Sequence, residues 1–272
     1  MPGTIEAVRD SGATVSRRGL LAGGGAAALA ALVPGEALAH KPKRTRPRGR
    51  IVDLTHEFKA GFPVYTGDAP KRRTLKNYTP DGFYSQEWTF GEHSGTHMDA
   101  PGHFIEGGRF TPQLRPAELM LPIVVIDIKA KARRNPDAEV TPDDLRAFER
   151  RHGRIPRGAL VAMNSGWASK LGTPEFLGTD SEGKYHFPGF HPDCVEVLVQ
   201  RRAGAIGVDT LSLDNGPSST FGVHVNWLKA DKYGLENLAN LDRIPPHGAT
   251  ATVGVIPWQE GSGGPARVFA TY

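Results

Sequence analysis

The sequence predicts one α/β domain built on a mixed, partly parallel sheet, and three observations carry that prediction. Apolar runs of strand length stand at residues 121–128, 159–163 and 205–208, and an unbroken run of that length reads as a buried strand. Between the second and third lies Pro192-Asp193-Cys194-Val195-Glu196-Val197-Leu198-Val199, which reads as the first turns of a buried helix with Pro192 near its start. Strand, helix, strand in that order is the pattern of a parallel crossover. The chain also holds 33 Gly and 22 Pro in 272 residues, so the domain is expected to be rich in loops, and its length suffices for one sizeable core.

Taken in order, residues 1–39 read as a targeting segment. Ser16-Arg17-Arg18-Gly19-Leu20-Leu21 has the twin-arginine pattern, an Ala/Gly/Leu-rich stretch follows to Val33, and Ala37-Leu38-Ala39 supplies a small-residue cleavage site. Export through the twin-arginine machinery, cleavage after Ala39 and a periplasmic or extracellular location are the expectations. A retained anchor is the alternative, although the apolar stretch is diluted by glycine and short of the roughly 20 residues a span needs. Residues 40–50 read as a basic Pro/Arg-rich linker and residues 51–272 as the folded domain.

Within that domain, residues 51–54 are a short strand candidate and 61–68 a Gly/Pro-punctuated loop. Residues 85–90 alternate enough to form a strand leading into the next segment. Thr141-Pro142-Asp143-Asp144 opens a helix, with Thr141 as N-cap, Pro142 at the first helical position and Asp144 placed to close a capping box. Residues 249–256 and 267–270 are the closing strands, separated by a Gly-rich turn at 260–265. No internal repeat is found.

Residues 40–50 carry six Lys or Arg and no acid, and residues 1–39 carry three of each sign, so the formal +4 of the whole chain becomes −2 from Ile51 onward. A slightly acidic body without a basic stripe and interleaved aromatics excludes a nucleic-acid partner. Cys194 is the only cysteine, which rules out an intramolecular disulfide; its apolar neighbours favour core packing over a reactive thiol.

The chemistry concentrates in Gly91-Glu92-His93-Ser94-Gly95-Thr96-His97-Met98-Asp99-Ala100-Pro101-Gly102-His103-Phe104. Of the 10 His in the chain, three fall between His93 and His103 with Asp99 among them, all at odd positions. In an extended segment these four side chains share a face. Gly95, Pro101 and Gly102 argue against a helix. A straight strand would hold His93 and His97 about 13 Å apart, so the segment must bend, and Gly95 is the natural place. Two imidazoles and a carboxylate suit zinc or manganese better than calcium, and three protein ligands leave a position open for water. The fold class is therefore an α/β domain with a loop-rich metal site. The bland alternative is a loop of solvated histidines.

The same run resembles the signature of the metal-dependent cyclase and kynurenine formamidase superfamily, which includes isatin hydrolase. The likeness extends to Ile51-Val52-Asp53-Leu54-Thr55 with Phe62-Pro63-Val64-Tyr65, Asn164-Ser165-Gly166-Trp167, residues 206–214 and Gly234-Leu235-Glu236-Asn237-Leu238. His224 and Glu236 have the twelve-residue spacing of the family's further ligands. The resemblance implies one ion on His93, His97 and Asp99, a second on His224 and Glu236 with Asp99 bridging, and His103 as general acid/base. It implies hydrolysis of an amide, lactam or lactone by hydroxide, since a divalent ion lowers the pKa of bound water from 15.7 to about 7, with a small-molecule substrate. Phe62, Trp88 and Trp167 are weak candidates for pocket walls. An exported, non-catalytic metal-binding protein of the same fold is the alternative, and a homo-oligomer is left open.

Overall fold

In the computed structural model the described residues are 49–272, so the export segment expected at 1–39 and all but the end of the linker lie outside them. The chain runs through β1 (Ile51–Asp53), β2 (Lys71–Lys76), α1 (Tyr78–Asp81), β3 (Ser85–Thr89), β4 (His97–Asp99), β5 (Met120–Asp127), α2 (Lys129–Ala132), β6 (Glu139–Val140), α3 (Pro142–His152), β7 (Leu160–Asn164), β8 (Gly189–Phe190), α4 (Asp193–Gln200), β9 (Ala205–Val208), α5 (Gly222–Lys229), β10 (Tyr233–Glu236), β11 (Ala249–Val255) and β12 (Gly263–Thr271). Eight strands share one sheet in the order β1-β12-β11-β5-β7-β9-β10-β4, and β4 pairs back onto β12, which closes the sheet into a barrel-like ring. β5, β7, β9 and β10 are parallel neighbours, while β11, β12 and β4 join antiparallel. The sheet is thus mixed and partly parallel.

The buried runs face two cores, which is why they read as continuous rather than alternating. On β5, Ile123 and Val125 point into the barrel interior with Leu160, Ala162 and Leu235, whereas Val124 and Ile126 face the helix layer with Val161 and Met163. That layer is closed by Leu145 and Phe148 of α3, Cys194 and Leu198 of α4, and Val223 and Trp227 of α5. Full burial of each such side chain is worth about 1.5–3 kcal/mol. α3 starts as expected: the Asp144 carboxylate accepts from both the Thr141 N–H and hydroxyl, each at 2.8 Å. Cys194 is buried, donates its thiol to the Val140 carbonyl at 3.1 Å, and burial pushes its pKa up to about 12. That thiol is a packing group.

The strand expected at 85–90 is present as β3, paired with β2 in a separate hairpin. Two other local expectations are corrected. The turn at 260–265 is shorter than read, because β12 already begins at Gly263, where Gly263 and Pro265 pair with Asp99 and His97. A side chain at Gly263 would place its Cβ 2.2 Å from the Met98 carbonyl oxygen, so glycine permits this closure of the ring. The histidine segment, read as one extended stretch with a bend, is extended only over β4 and then makes a 3-10 turn at Pro101–His103. Pro101 starts that turn, where its missing N–H costs nothing.

Candidate metal centre

β4 is three residues long and sits between β10 and β12, so its pleat decides what faces what. Met98 goes into the barrel core while His97 and Asp99 project to the other side. The antiparallel register places Glu236 opposite His97. His93 reaches the same place because the backbone turns at Gly95, whose φ is +67° and whose Cβ would lie 2.6 Å from the Phe58 ring. The 3-10 turn returns His103, whose ring stacks on His93 with centroids 3.7 Å apart. α5 contributes His224. His93, His97, Asp99, His103, His224 and Glu236 therefore line one cavity of about 190 Å³, although the last two lie more than 100 residues further along the chain.

The ring nitrogens and carboxylate oxygens converge on one another. His97 Nε2 lies 3.4 Å from Asp99 Oδ1 and 3.3 Å from Glu236 Oε2, and His224 Nε2 lies 3.5 Å from Asp99 Oδ2 and 3.1 Å from Glu236 Oε1. His97 Nε2 and Asp99 Oδ2 are buried with no hydrogen-bond partner. Two sets, His97 with Asp99 and Glu236, and His93 with Asp99 and His103, each offer ligand atoms within 4.8 Å of one another. Burial alone would lower the His97 pKa, but Asp99 and Glu236 raise it to about 10; His224 is likewise held well above its ordinary value, and His97 and His224 hold Asp99 well below. The buried carboxylates thus demand positive charge, which protons or divalent ions can supply. The donor set, with its orphaned atoms, fits such an ion.

Each imidazole is oriented by its other nitrogen, as metal-ligating histidines are. His97 Nδ1–H donates to the Gly95 carbonyl at 2.9 Å and His224 Nδ1–H to Asp214 at 2.7 Å, which turns both Nε2 atoms toward the carboxylates. The Ser262 hydroxyl donates to Glu92, so it accepts from His93 Nε2–H at 3.0 Å and leaves His93 Nδ1 facing Asp99 at 2.6 Å. Asp214 also accepts from the N–H groups of Val223 and His224 and so anchors the start of α5. For His103, burial pushes the pKa down to about 4, which keeps its ring neutral near pH 7.

The aromatic candidates stand elsewhere. Phe62 and Trp167 belong to a buried cluster with Phe176, Phe187 and Leu211, and Trp88 packs on Phe58 from the β2–β3 hairpin; none of the three lines the cavity. Its walls are Tyr65, Phe104 and Phe221, with Phe104 stacked on His224 at 4.8 Å. Alternation and spacing carry no sign of these walls, nor of Asp214, Ser212 and Asn237, because each arrives on a loop or turn. Ser212, Asp214 and Asn237 fall within the runs that carry the family resemblance.

A scan against family models matches the chain over residues 52–215 to the family described as "Putative cyclase". The chain belongs to the cyclase family. It is 35% identical to an isatin hydrolase of Roseibium aggregatum over 81% of this chain and 90% of that protein, and 26% identical to a kynurenine formamidase of Geobacillus thermodenitrificans over 79% and 94%. Among solved structures, an isatin hydrolase bound to the product analogue thioisatinate superposes with a TM-score of 0.78 at 30% identity, covering 82% of this chain and 92% of that one. Isatin hydrolase A from Ralstonia solanacearum gives 0.77 at 34% identity over 82% and 91%. This cyclase-family member is accordingly a hydrolase, and its fold is that of its neighbours.

Proposed function

We propose that this cyclase-family protein opens a C–N bond of a small aromatic amide or lactam, and that it is exported to do so. The observation that carries the reading is the buried cluster His97, Asp99, His224 and Glu236, with unpartnered ligand atoms, at the floor of a cavity walled by Tyr65, Phe104 and Phe221. His93, His97, Asp99, His224 and Glu236 would hold one or two divalent ions, and imidazole with carboxylate donors suits zinc or manganese. Such an ion supplies Lewis acidity to a carbonyl oxygen and to water. Phe104 and Phe221 shield the floor from bulk solvent and match a planar substrate. A ring nitrogen of neutral His103 takes a proton from the attacking water and passes it to the leaving nitrogen, so that the C–O bond forms as the C–N bond breaks.

The names of the relatives supply the first two substrates to try, isatin and the formamide of kynurenine. A lactam fits export better than a cytosolic tryptophan catabolite does. Elemental analysis of protein purified without added metal, paired with turnover before and after chelation, tests the whole reading: one to two equivalents of zinc or manganese and chelator-sensitive hydrolysis are expected. Full activity without metal would overturn it, and bound metal without turnover would favour the binding-protein alternative. Export rests on Arg17-Arg18 and the site after Ala39. Changing both arginines to lysine should keep the full-length chain in the cytoplasm, and mature protein outside in that variant would exclude the twin-arginine route.

A further inference from the structure

Two polar atoms of the cavity wall are left over once the metal cluster is accounted for. Ser212 and Asn237 are 3% and 2% exposed, both line the cavity, and Ser212 Oγ and Asn237 Oδ1 have no hydrogen-bond partner. The Asn237 carboxamide cannot simply be turned round: the group facing the Gly95 carbonyl at 2.9 Å must be a donor, so Nδ2 lies there and Oδ1 is the free atom. The residue is also held fast. Its N–H donates to the Thr210 carbonyl, its own carbonyl accepts the Thr96 hydroxyl, and its backbone is left-handed at φ +54°, which asparagine tolerates better than most residues. The segments that carry them are tied together, because Leu213 N–H donates to the Glu236 side-chain Oε1 at 2.9 Å, with Ser212 just before the donor residue and Asn237 just after the acceptor residue.

Buried polar groups without partners, one of them on a strained backbone, destabilise the folded chain and persist where a ligand completes them. Resting on the hydrolase reading above, we propose that Ser212 and Asn237 form a seat for the amide group of the substrate, which selects a secondary amide or lactam over its N-substituted counterpart. The Ser212 hydroxyl donates to a carbonyl oxygen. Asn237 Oδ1 can only accept, so it requires an N–H, and an N-alkylated amide would leave it unpaired against a methyl group. Both are positioning residues: neither transfers a proton, and their effect falls on substrate affinity.

Ser212→Ala separates this seat from a structural role. Removing a hydroxyl that has no partner in the fold should leave the melting temperature and metal content of the metal-loaded protein unchanged, while KM for a lactam such as isatin rises about tenfold with kcat little altered. Asn237→Gly, which keeps the left-handed backbone available, should collapse the preference for isatin over N-methylisatin toward one, again with metal retained. Calorimetric binding of the two lactams supplies a readout that does not need turnover. Wild-type turnover with unchanged KM in Ser212→Ala would overturn the seat and leave the hydrolase reading standing. A fall in melting temperature, or a preference for the N–H lactam that survives in Asn237→Gly, would overturn it as well. Lactam binding that depends on Ser212 without any turnover would sink the hydrolase reading alone, and neither binding nor turnover would sink both.

Discussion

Two histidines in this molecule are held in almost the same way and stand in different surroundings. His224 has Nδ1 on Asp214 at 2.7 Å and Nε2 toward Glu236 at 3.1 Å; His186 has Nδ1 on Asp137 at 2.9 Å and Nε2 toward Asp180 at 3.4 Å. The side chain of His224 is 5% exposed and that of His186 is 34% exposed. Around His224 the carboxylates are themselves buried and shared with His97, and ligand atoms are left without partners. Around His186 both ring contacts are partly exposed ion pairs that water can replace. It ties residues 178–186 to the Asp137 turn, next to Tyr185, whose hydroxyl donates to the carbonyl of the wall residue Tyr65. The residue types alone do not set a site apart; desolvated carboxylates shared between buried imidazoles do.

The largest expected effect comes from removing the carboxylate that lies beside His93, His97 and His224, the three proposed ligand histidines. Asp99→Ala should lose bound metal and fall to background turnover, more severely than any single histidine variant, and elemental analysis that still finds two equivalents would refute the bridging role. Next is His103→Ala, expected to cost about 10²- to 10⁴-fold in turnover of an amide with metal content near wild type. Loss of metal with activity would make His103 a ligand beside His93 and Asp99, which its geometry also allows. The loss should be smaller on activated esters, whose leaving groups need no proton.

Asp214 sharpens the comparison further, because like Asp137 it holds a histidine by Nδ1, but it is buried and also accepts from the N–H groups that start α5. Asp214→Asn leaves a hydrogen-bond acceptor but loses the charge behind His224, and metal affinity measured by competition with a chelator should fall about 10- to 100-fold. The smallest effect is expected at the surface. The Asp137 carboxylate raises the His186 pKa above its ordinary 6.5, so the stabilisation it brings is fully present below 6.5 and fades as pH rises through the raised value. His186→Ala should therefore lower the melting temperature slightly at pH 6 and leave it unchanged at pH 9, with metal content unaffected at both. A variant that lost metal would show that the exposed cluster is coupled to the buried one.

What the sequence determined by itself is the part of the protein that depends on neighbours along the chain. Runs buried on both faces announced β5, β7 and β9, Thr141 to Asp144 announced the start of α3, and the crowding of His93, His97, Asp99 and His103 announced the site. Hydrophobic period, capping and local ligand density are all short-range signals. The tertiary structure decided which strand lies beside which, and with it the rest of the site. Pairing of β4 with β10 sets Glu236 against His97, and Asp214 fixes the helix that brings in His224. The cavity is walled by Tyr65, Phe104 and Phe221, not by Phe62, Trp88 and Trp167. An aromatic side chain carries the same hydrophobicity whether it ends in a core or at the edge of a cavity. Only the path of the backbone, set by contacts far apart in the chain, decides between the two.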